Sequence, residues 1–260
     1  MIGVLHAYSR ANAGDGLLVD LTLERLARQG VALDDVLLVA LDPASFTGLP
    51  HRVGVGTPGR SLDRRALRAA GQGARLLGSA LARRPGGGLA RALGDCTAFV
   101  AVGGGYLRTP DRMSSFGTAL NHVPQLALAA RSERPSLYLP QSIGPLRGPV
   151  GAAVRRLLTD VDQVCVRDDQ SATELAGNPG VRRVPDLAVL HLAEQPPVEP
   201  APSGPGRVIA LVGRALDDLP DAGARLAALA DALPGPVAYA VQAVGDEQKS
   251  DAAFYARAGL

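Results

Sequence analysis

Five short apolar runs, IGVLHAY (2–8), DVLLVAL (35–41), TAFVAV (97–102), SLYLP (136–140) and QVCVR (163–167), are separated by longer stretches of helical pattern near 15–29, 61–84, 113–132, 147–160 and 168–177. Runs of this length with little polar alternation read as strands buried on both faces. Parallel strands need long crossover connections, which helices supply. The alternation therefore predicts an α/β fold, a Rossmann-like parallel sheet with helices on both faces. Pro124 breaks or starts a helix inside 113–132. The Gly/Arg-rich stretch at 83–91 reads as a loop.

A compositional break follows. AEQPPVEPAPSGPGR (193–207) carries prolines at 196, 197, 200, 202 and 205 and cannot continue a helix or a central strand. The alternation restarts with RVIALVGR (207–214), a helical pattern near 220–233, PVAYAVQA (236–243) and a helical pattern near 246–258. The expected organisation is an N-terminal Rossmann-like domain over 1–192, a semi-rigid linker over 193–206 and a partial Rossmann-like lobe over 207–260, short or incomplete because two strands do not make an independent domain. With 260 residues and 47% hydrophobic content, the chain can bury a substantial core.

The formal net charge is only +2 and the basic residues are interspersed with acidic ones, so nothing calls for a nucleic-acid partner. All 27 basic residues except Lys249 are arginine, a composition that fits a GC-rich genome. Cys96 and Cys165 sit in or beside apolar runs, as buried free thiols do, and a cytoplasmic location is expected. No stretch approaches the roughly 18 apolar residues of a membrane span, although peripheral membrane association is compatible with the sequence. His6, His51, His122 and His191 lack metal-ligand spacing, so no metal site is expected. His6, inside a strand, reads as core, and His122, beside Asn121 near a helix end, as a candidate acid or base.

Four turns with polar tips follow the expected strands: SRANAGDG (9–16), GGGYLRTPD (103–111), PQSIGP (140–145) and RDDQS (167–171). The C-terminal ends of parallel strands are where ligands bind in open α/β sheets. Gly14 and Gly16 would let the backbone turn sharply, Asp15 would cap a helix beginning at Leu17, and Asn12 tolerates left-handed angles. Such turns also occur only to pack strand on helix, and GxGxxG is absent after the first strand. Arg167 leaves its strand at the ligand edge, and Asp168 or Asp169 can cap a helix carrying Ser171 and Leu175. Arg167 and Asp168 can simply pair with each other. Alternatively, the guanidinium fork suits a carboxylate or a phosphate.

Taken in order, NAGD (12–15), GGGYL (103–107), PQSIGP (140–145), VRDDQSATEL (166–175) and VPDLAVL (184–190) resemble the motifs of the polysaccharide pyruvyl transferase family, over residues 1 to about 192. The resemblance implies a GT-B-like architecture of two Rossmann-like lobes. It also implies transfer of the pyruvyl group of phosphoenolpyruvate, without a cofactor, to a glycan or lipid-linked saccharide of a cell-wall or exopolysaccharide unit as a ketal. On that basis Arg167 contacts the donor anion, and Asp15 and Asp168 orient or deprotonate the sugar hydroxyl. Gly103, Gly104 and Gly105, with Asn12 and Gly14, give close backbone approach, and Gln141, Ser142 and Ser171 line the substrate site. Asp186 closes the cleft or caps a turn. A GT-B-type glycosyltransferase using a nucleotide sugar, or a non-catalytic glycan-binding relative, would share the fold.

Overall fold

The computed structural model describes residues 1–55, 88–197, 199, 208–213, 221–244 and 250–260, arranged as two compact units. The first comprises Met1–Ser9 and Leu17–Glu194, and the second Arg10–Gly16 and Gln195–Leu260. The helical pattern at 61–84 lies outside the described residues, as does most of the proline-rich stretch.

The first unit is built on an 8-stranded sheet. Its strands are β1 (Ile2–Ala7), β2 (Val36–Ala40), β3 (His51–Gly54), β4 (Ala98–Ala101), β5 (Gly104–Thr109), β6 (Ser136–Leu146), β7 (Gln163–Val166) and β8 (Val181–Arg183). The order is β3-β2-β1-β4-β6-β7-β8, with β5 also paired to β6, and every pairing is parallel. The helices are α1 (Ala13–Arg28), α2 (Gly88–Ala92), α3 (Arg112–Asn121), α4 (Val123–Arg131), α5 (Gly148–Leu158), α6 (Asp169–Glu174) and α7 (Leu187–Glu194).

Both faces of the sheet are covered, which is why the strands carry so little polar alternation. Leu5, Leu37, Val39 and Tyr138 pack with Leu126 of α4 and Leu157 of α5, while Val4, Leu38 and Ala40 pack with Val19 of α1 and with Phe46. Val4 and Leu5 are both fully buried, each worth roughly 1.5–3 kcal/mol of transfer free energy.

Two segments expected as loops are strands. GGGYLRTPD contributes β5, and PQSIGP extends β6 to 11 residues. The first half of β6 pairs with β4 (Ala101↔Tyr138) and the second with β5 (Gly104↔Gln141), so β4 and β5 run in succession beside one long strand. Pro140, which lacks an N–H, falls in β6 at the joint between them, where the loss of a donor is tolerated. Gly103 occupies that joint because a Cβ there would lie 2.6 Å from the Pro140 carbonyl oxygen.

β3 and β8 were not expected; both are short edge strands with exposed charged or polar residues, which weakens an apolar signal. The stretch 113–132 divides into α3 and α4 at His122, with Pro124 in the first turn of α4. The described part of 83–91 includes helix α2 rather than loop alone.

In the second unit, β9 (Ile209–Leu211), α8 (Ala222–Ala232) and β10 (Val237–Tyr239) form a parallel β-α-β unit followed by α9 (Asp251–Ala258). The Tyr255 hydroxyl accepts from Gly213 N (2.9 Å) and lies within hydrogen-bond distance of the Gly213 and Ala240 carbonyls (3.0 and 2.9 Å). Asp251, only 7% exposed, accepts from the Gln242 and Ala243 amides, both at 2.9 Å. Those residues pair with the 10–16 segment: Ala13 N donates to Gln242 O (2.9 Å) and Val244 N to Ala11 O (2.8 Å). The described part of the second unit is thus a parallel two-stranded α/β arrangement.

Candidate functional site

The first unit gathers residues from the start of β5, the interior of β6 and the segments that follow β7 and β8. Arg167 directly follows β7, its amide donating to Gln141 O (3.1 Å). Its Nε donates to Ser142 Oγ (2.9 Å) and its Nη1 to Asp186 Oδ2 (2.6 Å). Ser142 Oγ in turn donates to Asp168 Oδ2 (2.6 Å). Asp168 caps α6, accepting from Ser171 N and Ser171 Oγ, both at 2.7 Å, and Ser171 Oγ accepts from Ile143 N (2.8 Å). Gly105 faces this group: a Cβ on it would stand 3.9 Å from Arg167 Nη2 and 4.0 Å from Ser142 Cβ.

Two alternatives left open by the sequence are resolved by these contacts. Asp168, not Asp169, is the cap of α6. The ion-pair partner of Arg167 is Asp186, not the adjacent Asp168, because consecutive residues leaving a strand point apart and Asp168 is turned toward the helix it caps. Asp186 also caps: its Oδ1 accepts from Ala188 N (2.8 Å) in the first turn of α7. Partial burial opposes ionisation of Asp168, but hydrogen bonds from Ser142 and Ser171 and the Arg167 charge outweigh it and hold the carboxyl below its usual range. The cluster therefore presents one guanidinium, two carboxylates and two hydroxyls.

Gln141 is not part of that cluster. It is fully buried, whereas Ser142, the next residue along the strand, meets Arg167 and Asp168. Neither amide atom of Gln141 has a hydrogen-bond partner among the described residues. The amide exerts a slight acidifying pull on Tyr106, but no bond of good geometry closes between them, and the Tyr106 hydroxyl donates instead to Val102 O (2.7 Å). Burial pushes the Tyr106 phenol well above its ordinary pKa.

Tyr106 stacks on both His6 (4.7 Å between ring centroids) and His122 (4.9 Å), which are themselves 5.4 Å apart, so the three rings form a triangle. His6 Nδ1 lies 3.3 Å from His122 Nδ1, and His6 Nε2 lies 3.0 Å from the Tyr138 hydroxyl. Two neutral rings satisfy both contacts when Tyr138 donates to His6 Nε2 and His6 donates from Nδ1. His6 is core, as expected, but its φ of 65° places it in the left-handed region. Its displaced amide is taken up by Gln125 Oε1 (2.8 Å). Burial lowers the pKa of both histidines, that of His122 to about 4.

The 10–16 segment, in the second unit, differs from expectation. Helix α1 begins at Ala13, so Gly14 and Gly16 are helical and none of Asn12, Gly14 and Gly16 has a positive φ. The cap is Asn12, whose Oδ1 accepts from Gly14 N (2.9 Å) and Asp15 N (3.1 Å), and not Asp15. Asp15 sits in the first helical turn, where burial raises its carboxyl pKa. Gly104, with φ +145°, is the turn glycine that does need its conformational freedom.

The first unit is thus a parallel Rossmann-like sheet beside which one guanidinium, two carboxylates and two hydroxyls are gathered. The family model for polysaccharide pyruvyl transferase matches residues 12–258, and the chain belongs to that family, which is one of transferases. None of the curated proteins matches the chain. No described helix is long and apolar enough to cross a membrane.

Proposed function

We propose that the protein transfers the pyruvyl group of phosphoenolpyruvate to a sugar of a cell-surface or exopolysaccharide unit, forming a ketal. The reading rests on the fixed guanidinium of Arg167, whose Nη2 has no acceptor among the described residues and faces Gly105. An anionic donor needs such a fork, and the glycine leaves the approach to it open. In the chemistry proposed, one sugar hydroxyl adds its oxygen to C2 of the donor while a proton is delivered to the C3 methylene. A second hydroxyl then displaces phosphate from C2 and closes the ketal. Asp168, held ionised, accepts a hydrogen bond from an attacking hydroxyl and draws off its proton. Arg167 offsets the charge of the donor carboxylate or the departing phosphate.

The excess of carboxylates over guanidinium in the cluster favours a second reading, a glycan-binding relative without turnover, because carboxylates suit sugar hydroxyls. The test is release of inorganic phosphate from phosphoenolpyruvate in the presence of lipid-linked glycans, with the pyruvylated glycan identified by mass. Glycan binding with no phosphate release favours the second reading. Release of a nucleoside diphosphate from a nucleotide sugar defeats both.

A further inference from the structure

Arg167 is held by two side chains that do not contact each other, and the residue that makes its ion pair is fixed by a separate structural task. Side-chain exposure is 31% for Arg167 and 19% for Asp186, so the pair is partly withdrawn from solvent. Asp186 divides its oxygens: Oδ2 accepts from Arg167 Nη1, and Oδ1 accepts from Ala188 N at the start of α7. A carboxylate anchored to a helix N-terminus cannot follow a mobile arginine, so the arginine is held by the carboxylate. Ser142 fixes the other end at Nε. With Nε and Nη1 engaged, the guanidinium plane is set and Nη2 is aimed at the space in front of Gly105.

We infer that Asp186 is a positioning residue for the reaction, acting through Arg167: it orders the guanidinium before the anionic donor arrives, so that the donor meets a fork already aimed. This rests on the pyruvyl-transfer reading for the identity of the donor. An arginine free to sample its rotamers would have to be ordered by the ligand, at a cost in affinity. Asp168 does not take this role: its side chain meets Ser142 and Ser171, and the ion pair with Arg167 is made by Asp186.

Two variants separate positioning from capping. Asp186→Ser keeps a side-chain oxygen for the α7 cap but cannot reach Arg167, whereas Asp186→Glu keeps a carboxylate for Arg167 and loses the cap geometry. Steady-state kinetics with phosphoenolpyruvate, thermal unfolding, and the 15N–1H signal of Arg167 Nε in the ligand-free full-length chain are measured for each. Asp186→Ser is expected to retain the wild-type Tm, to broaden or lose the Arg167 Nε signal, and to raise KM for phosphoenolpyruvate about tenfold with kcat little changed. Asp186→Glu is expected to lower Tm while keeping the Nε signal and a KM near the wild-type value. The proposal is overturned if Asp186→Ser leaves both the Nε signal and KM unchanged, or if it tightens donor binding, which would make Asp186 a competitor of the donor. If the wild-type chain neither binds nor turns over phosphoenolpyruvate, the functional reading fails. The Nε signal still decides whether Asp186 orders Arg167.

Discussion

The His6–His122 pair makes folding stability depend on pH in a direction fixed by burial. His122 has its pKa lowered from 6.5 to about 4 by loss of hydration, and His6 is depressed for the same reason, with the neighbouring His122 adding to it. As pH falls below 6.5 the unfolded chain takes up protons at these sites, while the folded protein refuses one at His122 until about 4. The unfolded state therefore binds more protons throughout that window, and acidification lowers stability. For His122 alone the full window amounts to about 3 kcal/mol, of which about 2 kcal/mol is already lost at roughly pH 5. His122→Asn can still accept a hydrogen bond from His6 Nδ1 but cannot titrate. Urea unfolding of wild type and His122→Asn at roughly pH 7.5 and pH 5 measures the difference. Wild type is expected to lose about 2 kcal/mol more than the variant over that interval, since carboxylates elsewhere act equally in both. Parallel pH profiles for the two proteins would refute a neutral, desolvated His122.

Arg167→Ala is expected to abolish pyruvyl transfer while shifting Tm by a few degrees at most, because the sheet does not depend on it; wild-type phosphate release would remove Arg167 from the site. Gly103→Ala forces a Cβ to within 2.6 Å of the Pro140 carbonyl oxygen and is expected to cost about 1–3 kcal/mol in chemical denaturation, by prising β5 from β6. Tyr255→Phe leaves the Gly213 amide without its acceptor and is expected to destabilise the second unit by about 1–3 kcal/mol, seen as faster amide exchange at Gly213.

Several features were legible because they are local. Strands β1, β2, β4 and β7 are continuous apolar runs, and the break before α4 follows from Pro124. The segments GGGYLRTPD and PQSIGP misled because glycine and proline are read as breakers; here Gly103 and Pro140 mark a joint between two strands laid along a third, and Leu107, Ile143 and Leu146 are buried beyond it. In the candidate site, the place of Arg167 at a strand end and the capping role of Asp168 were accessible from their position after a strand and before a helix. The Arg167–Asp186 pair was not, since its members lie 19 residues apart across a helix and a short charged strand that gives no apolar signal.

By itself the sequence determined the α/β class and the direction of the strands, because strand burial and crossover length are properties of consecutive residues. Tertiary structure alone decided which of two neighbouring residues, Gln141 or Ser142, joins Arg167, and which carboxylate answers its charge. Those choices depend on the face to which each side chain points and on which strand ends the register brings alongside. Neither exists until the sheet has formed.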